Sequence, residues 1–279
     1  MTAKIIDGKE LAQKVRNNVK KSLESLNITP GLAVILVGKN PASQVYVRMK
    51  ERACKEVGIH FERFDLDEGV NEIDVLKLID ELNQRDSVHG ILVQLPLPSH
   101  LDEKFIIESI LPHKDVDGFT PINLGNLLIG ANRIVPATPK AIIKLIESTN
   151  IDIEGLHAVV VGRSNIVGKP VSLLLQQKDA TVTMCHSKSK PLKRYTRQAD
   201  ILVVAVGKPN LITGNMVKKG AIVIDVGINR VGKKLIGDID FESVKNVASY
   251  ITPVPGGVGP MTIACLLENI IECVKLAKL

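Results

Sequence analysis

Short, almost uninterrupted apolar runs recur along the chain at residues 31–38, 90–96, 158–161, 201–205 and 221–225. Runs of this length, bounded by turn residues, fit strands buried on both faces. Phe61–Leu66 alternates in strand fashion, and Thr181–Met184 reads as a further strand. Helical spacing fills the intervals. Leu11, Val15, Val19, Leu23 and Leu26 form one stripe, Val75–Leu82 carry another, and Asp102 opens a third helix with Phe105 and Ile106. Strands that alternate with helices predict parallel βαβ units, hence an α/β fold with mainly parallel sheets.

A length of 279 residues is enough for two domains with sizeable cores. Between Pro112 and Pro139 the rhythm breaks into turns rich in Asp, Gly, Asn and Pro. That segment is too long for a casual connection and reads as a functional loop. Thr138-Pro139 then caps a helix running to about Ser148, the bridge to the second domain. The division expected is 1–138 for the first domain and 139–260 for the second, flanking a cleft. The last helix, Met261 to about Leu276, crosses back, so 261–279 complete the first domain.

The run Gly31–Gly38 ends in a glycine turn, after which Asn40 suits an N-cap and Pro41 the first helical position. Gly58 closes that helix. Tyr46 and Lys50 are four residues apart and share its face. They sit near the carboxyl end of the preceding strand, where open α/β sheets bind ligands. An aromatic plate beside a movable ammonium group can stack a flat substrate and move protons on it. The plainer alternative is a half-buried tyrosine and a solvated lysine.

In the second domain, Val159-Val160-Val161-Gly162-Arg163-Ser164-Asn165-Ile166-Val167-Gly168-Lys169-Pro170 reads as strand, glycine turn and helix start, the setting for a dinucleotide pyrophosphate. Gly162 permits the turn, and Gly168 permits close packing or a close phosphate approach. The spacing is GxxxxxG rather than GxGxxG, so a plain strand–helix turn is the alternative. After the next strand stands Met184-Cys185-His186-Ser187-Lys188-Ser189, with no acid to hold ribose hydroxyls. Arg163 and Ser187 can instead bind a 2′-phosphate through charge-assisted hydrogen bonds, which points to NADP and a Rossmann-like second domain. Lys188 reads as solvated. Val206–Pro209 and Val226–Asn229 end two further strands and are expected to line the nicotinamide half.

Thirty-six basic against thirty acidic residues leave a net charge of +6, compatible with nucleic acid or with small anionic substrates. The basic residues are dispersed and aromatics are only 3%, so no nucleic-acid partner is expected. Cys54, Cys185, Cys265 and Cys273 form no CxxC pair and no metal spacing with histidine. They read as reduced, mostly buried thiols, and no metal site is expected. Residues 1–8 lack the apolar core of a signal peptide, and no apolar run approaches the ~20 residues of a membrane span. A cytoplasmic protein without a membrane partner is the expectation.

Taken in order, Tyr46–Lys50, Gln94–Pro98, Lys114–Phe119, Gly162–Ser164 with Val167–Pro170, Cys185–Lys188, Asp225–Asn229 and Thr252–Thr262 resemble the bifunctional methylenetetrahydrofolate dehydrogenase/cyclohydrolases of one-carbon metabolism. The likeness covers essentially the whole chain. One departure is Pro136-Ala137-Thr138-Pro139-Lys140-Ala141, where the family usually reads Pro-Cys-Thr-Pro-x-Gly. The resemblance implies oxidation of 5,10-methylenetetrahydrofolate with NADP, then hydrolysis of the methenyl product to 10-formyltetrahydrofolate, an interconversion tied to purine biosynthesis. It implies that Tyr46 stacks on the folate rings, Asp117 holds the pterin's amidine edge, Lys50 moves protons in ring opening, and Gln94 orients Lys50. Tyr46, Gln94, Leu95, Asp117, Pro255, Gly256, Gly259 and Pro260 would contact the folate. Gly162, Arg163, Ser164, Val167, Gly168, His186, Ser187 and Ile228 would contact the cofactor.

A homodimer formed through the cofactor domain is also implied. Two other readings stay open at this point. Another NADP-linked dehydrogenase of the same architecture would need its own acid–base residue and not Tyr46, Lys50 and Gln94 together. A non-catalytic NADP-binding protein would bind cofactor without turnover. Whether Lys50 is itself the base or activates water through a network is likewise open.

Overall fold

A computed structural model describes residues 2–26, 28–232 and 234–277. Among them the strands are β1 (Lys4–Ile5), β2 (Gly31–Val37), β3 (His60–Leu66), β4 (Gly90–Val93), β5 (His157–Val161), β6 (Thr181–Cys185), β7 (Ile201–Val204), β8 (Ile222–Asp225), β9 (Asn229–Val231), β10 (Lys234–Ile236) and β11 (Tyr250–Ile251). The chain folds into two compact units. One joins Lys14–Ala137 to the segment from Ile263 onward, and the other joins the residues up to Gln13 to Thr138–Thr262.

In the first of these units β2 lies between β3 and β4, all parallel. Every residue of β2 is buried, which explains why its sequence is apolar without alternation. Ala33, Ile35 and Val37 pack with Ile91 and Val93 and with Val75, Ile79 and Leu82 of the helix Glu72–Gln84. The chain leaves β2 for one neighbour and returns to pair on the other side. The carboxyl end of β2 is therefore a topological switch point, where flanking connections diverge and leave a crevice.

The other unit repeats that geometry on a larger sheet, ordered β1-β11-β8-β7-β5-β6 and parallel throughout. From β5 the chain runs to β6 on one side and then crosses to β7 on the other. The second switch point is thus at the end of β5, where Gly162 follows. Val159, Val161, Leu202, Val204, Val223 and Ile251 form part of its core. β9 and β10 make a separate antiparallel ribbon.

Several boundaries differ from the sequence expectation. The strand expected over 90–96 stops at Val93; Gln94 still donates its N–H to Ile35, but Pro96 has none to give. The turn-rich segment after Pro112 contains a helix, Pro121–Leu128, with Thr120 as N-cap and proline in its first turn. Its Asn and Gly content disguised it. The next helix starts at Ala137, which puts Thr138 inside the first turn rather than at the cap. The last helix spans Val258–Leu276, so Gly259 and Pro260 belong to its first turn and not to the loop before it. The residues up to Gln13, expected in the first domain, belong with Thr138–Thr262 because Lys4 and Ile5 pair with Tyr250 and Ile251. No helix among the described residues is long and apolar enough to cross a membrane.

Candidate active site

At the end of β2, Asn40 accepts hydrogen bonds from the N–H groups of Ala42 and Ser43 and so starts the helix Pro41–Val57. Gly58, at φ 94°, ends it in the left-handed region. One stripe of this helix, Ser43, Val47, Lys50, Cys54 and Val57, is buried. Lys50 is therefore no solvated lysine: it is only 8% exposed, in a stripe where an apolar residue would be ordinary. Its Nζ donates to Gln94 Oε1 at 3.0 Å. Gln94 Nε2 in turn donates to the Leu95 carbonyl at 2.9 Å, which orients the amide, and buried Ser43 reaches the same carbonyl at 3.4 Å. Tyr46 stands one turn before Lys50 and is partly buried.

Burial pulls the Lys50 ammonium below the usual lysine range, while the nearby Asp117 carboxylate and Cys54 oppose the shift. Burial pushes Asp117 upward against the pull of Lys50, with Asp115 adding to the push. Burial also raises the Tyr46 phenol and drives the Cys54 thiol to about 12, so the thiol stays protonated. The arrangement is a desolvated amine beside a carboxyl group, with a fixed amide acceptor. It can give up a proton and take it back more readily than a solvated lysine.

Asp117 is aimed by its neighbours. Lys114, itself buried, donates to the carbonyls of Leu82, Asn83 and Arg85 and so caps the end of the helix Glu72–Gln84. Asp115 accepts from the N–H of Gly118 and Thr120 and from Asn123 Nδ2, tying the loop to the helix that follows. Asn269, from the terminal helix, donates to the carbonyls of Val116 and Val135. Between these anchors Asp117 lies within electrostatic reach of Lys50. Lys114→Met is expected to lower unfolding free energy by about 1–3 kcal/mol, because carbonyls in a part-buried setting lose their donor. Urea unfolding of the two proteins measures it; an unchanged midpoint would remove Lys114 as an anchor.

The other unit holds the glycine loop at the end of β5. Gly162 has φ +137°, and a side chain there would run into the Ala205 carbonyl. A Cβ at Gly168 would run into the Gly162 carbonyl and sit 2.8 Å from the Arg163 nitrogen, so this glycine serves close packing. Ser164 Oγ accepts from the N–H groups of Val167 and Gly168, and its carbonyl accepts from Lys169. The loop winds around Ser164. Arg163 and Ser187 are exposed, His186 is partly buried, and its Nδ1 accepts from the Lys188 N–H. A guanidinium, a hydroxyl and the lack of a carboxylate at the end of β6 fit a nucleotide carrying a 2′-phosphate. Ile228 is exposed, and its Cδ1 would be 3.9 Å from a Cβ at Gly259. Pro255 is exposed and Gly256 has φ +114°.

The structure thus brings Tyr46, Lys50, Gln94, Leu95 and Asp117 together on one unit, and the Gly162 loop, His186, Ser187, Ile228 and residues 255–260 on the other. Sequence reasoning missed Ser43, Lys114, Asp115 and Asn269. Ser43 was findable, since it lies seven residues before Lys50 on the same helical stripe.

Two family models match the chain. That of the tetrahydrofolate dehydrogenase/cyclohydrolase catalytic domain covers residues 6–117, and that of the tetrahydrofolate dehydrogenase/cyclohydrolase NAD(P)-binding domain covers residues 136–278. The bifunctional protein FolD of Moorella thermoacetica is 58% identical, over 99% of this chain and 100% of its own. The bifunctional enzyme FolD from Campylobacter jejuni, a methylenetetrahydrofolate dehydrogenase/cyclohydrolase, superposes with a TM-score of 0.95 at 51% identity, over 98% of this chain and 99% of its own. The Trypanosoma brucei N5,N10-methylenetetrahydrofolate dehydrogenase-cyclohydrolase, solved with NADP cofactor and inhibitor, gives a TM-score of 0.96 at 37% identity, over 100% and 99%.

Proposed function

The chain belongs to the tetrahydrofolate dehydrogenase/cyclohydrolase family, and on that premise we propose how its residues divide two reactions. The protein oxidises 5,10-methylenetetrahydrofolate with NADP and hydrolyses the resulting 5,10-methenyl cation to 10-formyltetrahydrofolate. The observation that carries the division is buried Lys50, hydrogen-bonded to Gln94 and electrostatically coupled to Asp117.

In ring opening, water adds to the bridge carbon of the methenyl cation. Neutral Lys50 takes a proton from that water as the C–O bond forms. The bond from the bridge carbon to N5 then breaks as the Lys50 ammonium returns the proton to N5 and the hydroxyl proton of the adduct is released to solvent, leaving the formyl group on N10. Gln94 Oε1 holds Lys50 on target in both protonation states. Tyr46 stacks on the folate rings, and Asp117 accepts from the pterin's N–H donors and fixes its register. Leu95, Pro255, Gly256, Gly259 and Pro260 complete the folate contacts.

Hydride abstraction from the methylene bridge needs orientation more than acid or base, because the folate nitrogens stabilise the cation. Bound NADP supplies the hydride acceptor. The chain's part is to hold it: the turn at Gly162, kept tight by the close packing of Gly168, brings the loop backbone and Val167 to the pyrophosphate, Arg163 and Ser187 pair with the 2′-phosphate, and Ser164, His186 and Ile228 shape the remaining surface. The same reading includes a cytoplasmic homodimer paired through the cofactor unit and a product that feeds purine biosynthesis. Analytical ultracentrifugation tests the dimer, and a monomer at micromolar concentration would remove it.

Purified protein with 5,10-methylenetetrahydrofolate should reduce NADP faster than NAD without accumulating the methenyl species. Methenyl accumulation would overturn the proposed role of Lys50, and no reduction of either nucleotide would overturn the whole reading.

A pH profile adds a signed test. The Asp117 carboxylate favours the Lys50 ammonium, so removing its charge lowers the Lys50 pKa further. The base is neutral at high pH, so cyclohydrolase activity rises with pH through that pKa. In Asp117→Asn, whatever activity remains should reach its plateau at a lower pH than in the wild type. A limb that stayed in place or moved upward would remove the coupling.

A further inference from the structure

Two buried carboxylates on the cofactor unit take no part in the reactions above. Asp238, fully buried just after β10, accepts through Oδ2 from the N–H groups of Val206 and Gly207 at 2.7 and 2.9 Å. Its Oδ1 accepts from the Lys208 N–H at 2.8 Å and from Asn229 Nδ2 at 2.9 Å. Asp225, at the end of β8, accepts in turn from the N–H groups of Gly227, Asp238 and Ile239. Two glycines make the approach possible. A Cβ at Gly227 would collide with the Asp238 carboxyl group, and one at Gly237 with that of Asp225.

Three successive N–H groups converging on one point form a concavity that binds anions. The loop after β7 has such a concavity, and Asp238 fills it. Ala205 stands directly before this loop and abuts the Gly162 turn. Two neighbouring strand-end loops are therefore set for different chemistry. The Gly162 loop has a helix start and Arg163 for phosphate, whereas the amides of 206–208 are already spent on a carboxylate.

We propose that Asp238 is a positioning residue for the nicotinamide half of the cofactor, occupying the anion concavity at the end of β7 and fixing the backbone of loops 206–208 and 227–229 as one wall. It rests on the NADP reading above. Phosphate is kept to the Gly162 side, and the nicotinamide meets backbone held by a carboxylate that never touches it.

The test compares Asp238→Asn with the wild type by calorimetry, using NADP and 2′,5′-ADP, which has the phosphates of the adenosine half and no nicotinamide. The amide turns an N–H donor toward N–H donors, so the two loops lose their common acceptor. Retained 2′,5′-ADP affinity, within about twofold, reports an intact cofactor unit. On that background NADP affinity should fall about tenfold and the dehydrogenase kcat should fall with it, while ring opening of supplied methenyltetrahydrofolate, which uses no cofactor, stays unchanged. Equal weakening of both ligands would make the role merely structural and overturn the proposal, as would unchanged NADP binding. A wild-type protein that bound neither ligand would overturn the NADP reading itself, and the proposal with it.

Discussion

Lys50→Met is expected to lower ring opening by about 10²-fold or more while leaving hydride transfer within roughly tenfold of the wild type. Methionine matches the four-atom stem of lysine without its ammonium and suits a site that is only 8% exposed, so the helix Pro41–Val57 keeps its packing. What disappears is the group assigned to take a proton from water and return it. Gln94 Oε1 loses its 3.0 Å donor, but its amide remains tied to the Leu95 carbonyl. Hydride transfer needs the folate held in register, and Tyr46 and Asp117 are still present for that. In a spectral assay the variant should reduce NADP and accumulate the methenyl cation. Normal rates for both steps would sink the assignment of Lys50.

Gly168→Ala should do the opposite. The new Cβ has no room, because the atoms it meets are backbone: the Gly162 carbonyl and the Arg163 nitrogen. Backbone cannot swing aside as a side chain can, so the turn that Gly162 makes at φ +137° must open. Such overpacking costs about 1–3 kcal/mol. The cost falls on the loop assigned to the pyrophosphate. A rise of at least about tenfold in KM for NADP is expected, with cyclohydrolase activity retained because Lys50, Gln94 and Asp117 belong to the other unit. An unchanged KM would mean that the loop does not hold the nucleotide. Together the two variants should separate activities that the wild type runs in succession.

The parallel strands were legible because burial on both faces leaves an apolar run with no alternation, as in Gly31–Val37. The bounds of the helix Pro41–Val57 were legible because Asn40, Pro41 and Gly58 each have a local physical role. So was the shared face of Tyr46 and Lys50. The Lys50–Gln94 hydrogen bond was not, since it joins residues 44 apart and only the family resemblance pointed to it. Asp115 and Asp117 are alike in sequence, two residues apart in one loop. What distinguishes the anchor from the free carboxylate is the donor set from Gly118, Thr120 and Asn123, which no periodicity encodes. Asp238 was invisible for the same reason, its partners lying about thirty residues earlier. β1, β9, β10 and β11 are two or three residues long, too short for any pattern to register.

The discontinuity of both units has a consequence for how the protein is made. β1 emerges from the ribosome well before its pairing partner β11, which is some 245 residues later in synthesis. The Asp115–Asp117 loop likewise waits for Asn269, more than 130 residues after Val116 and Val135, to tie those two down. Neither unit can finish closing its core until these distant segments have been synthesised, and until then its apolar surface is open to chaperones and to aggregation. Cutting the gene at residue 137 would leave each half without a piece of itself.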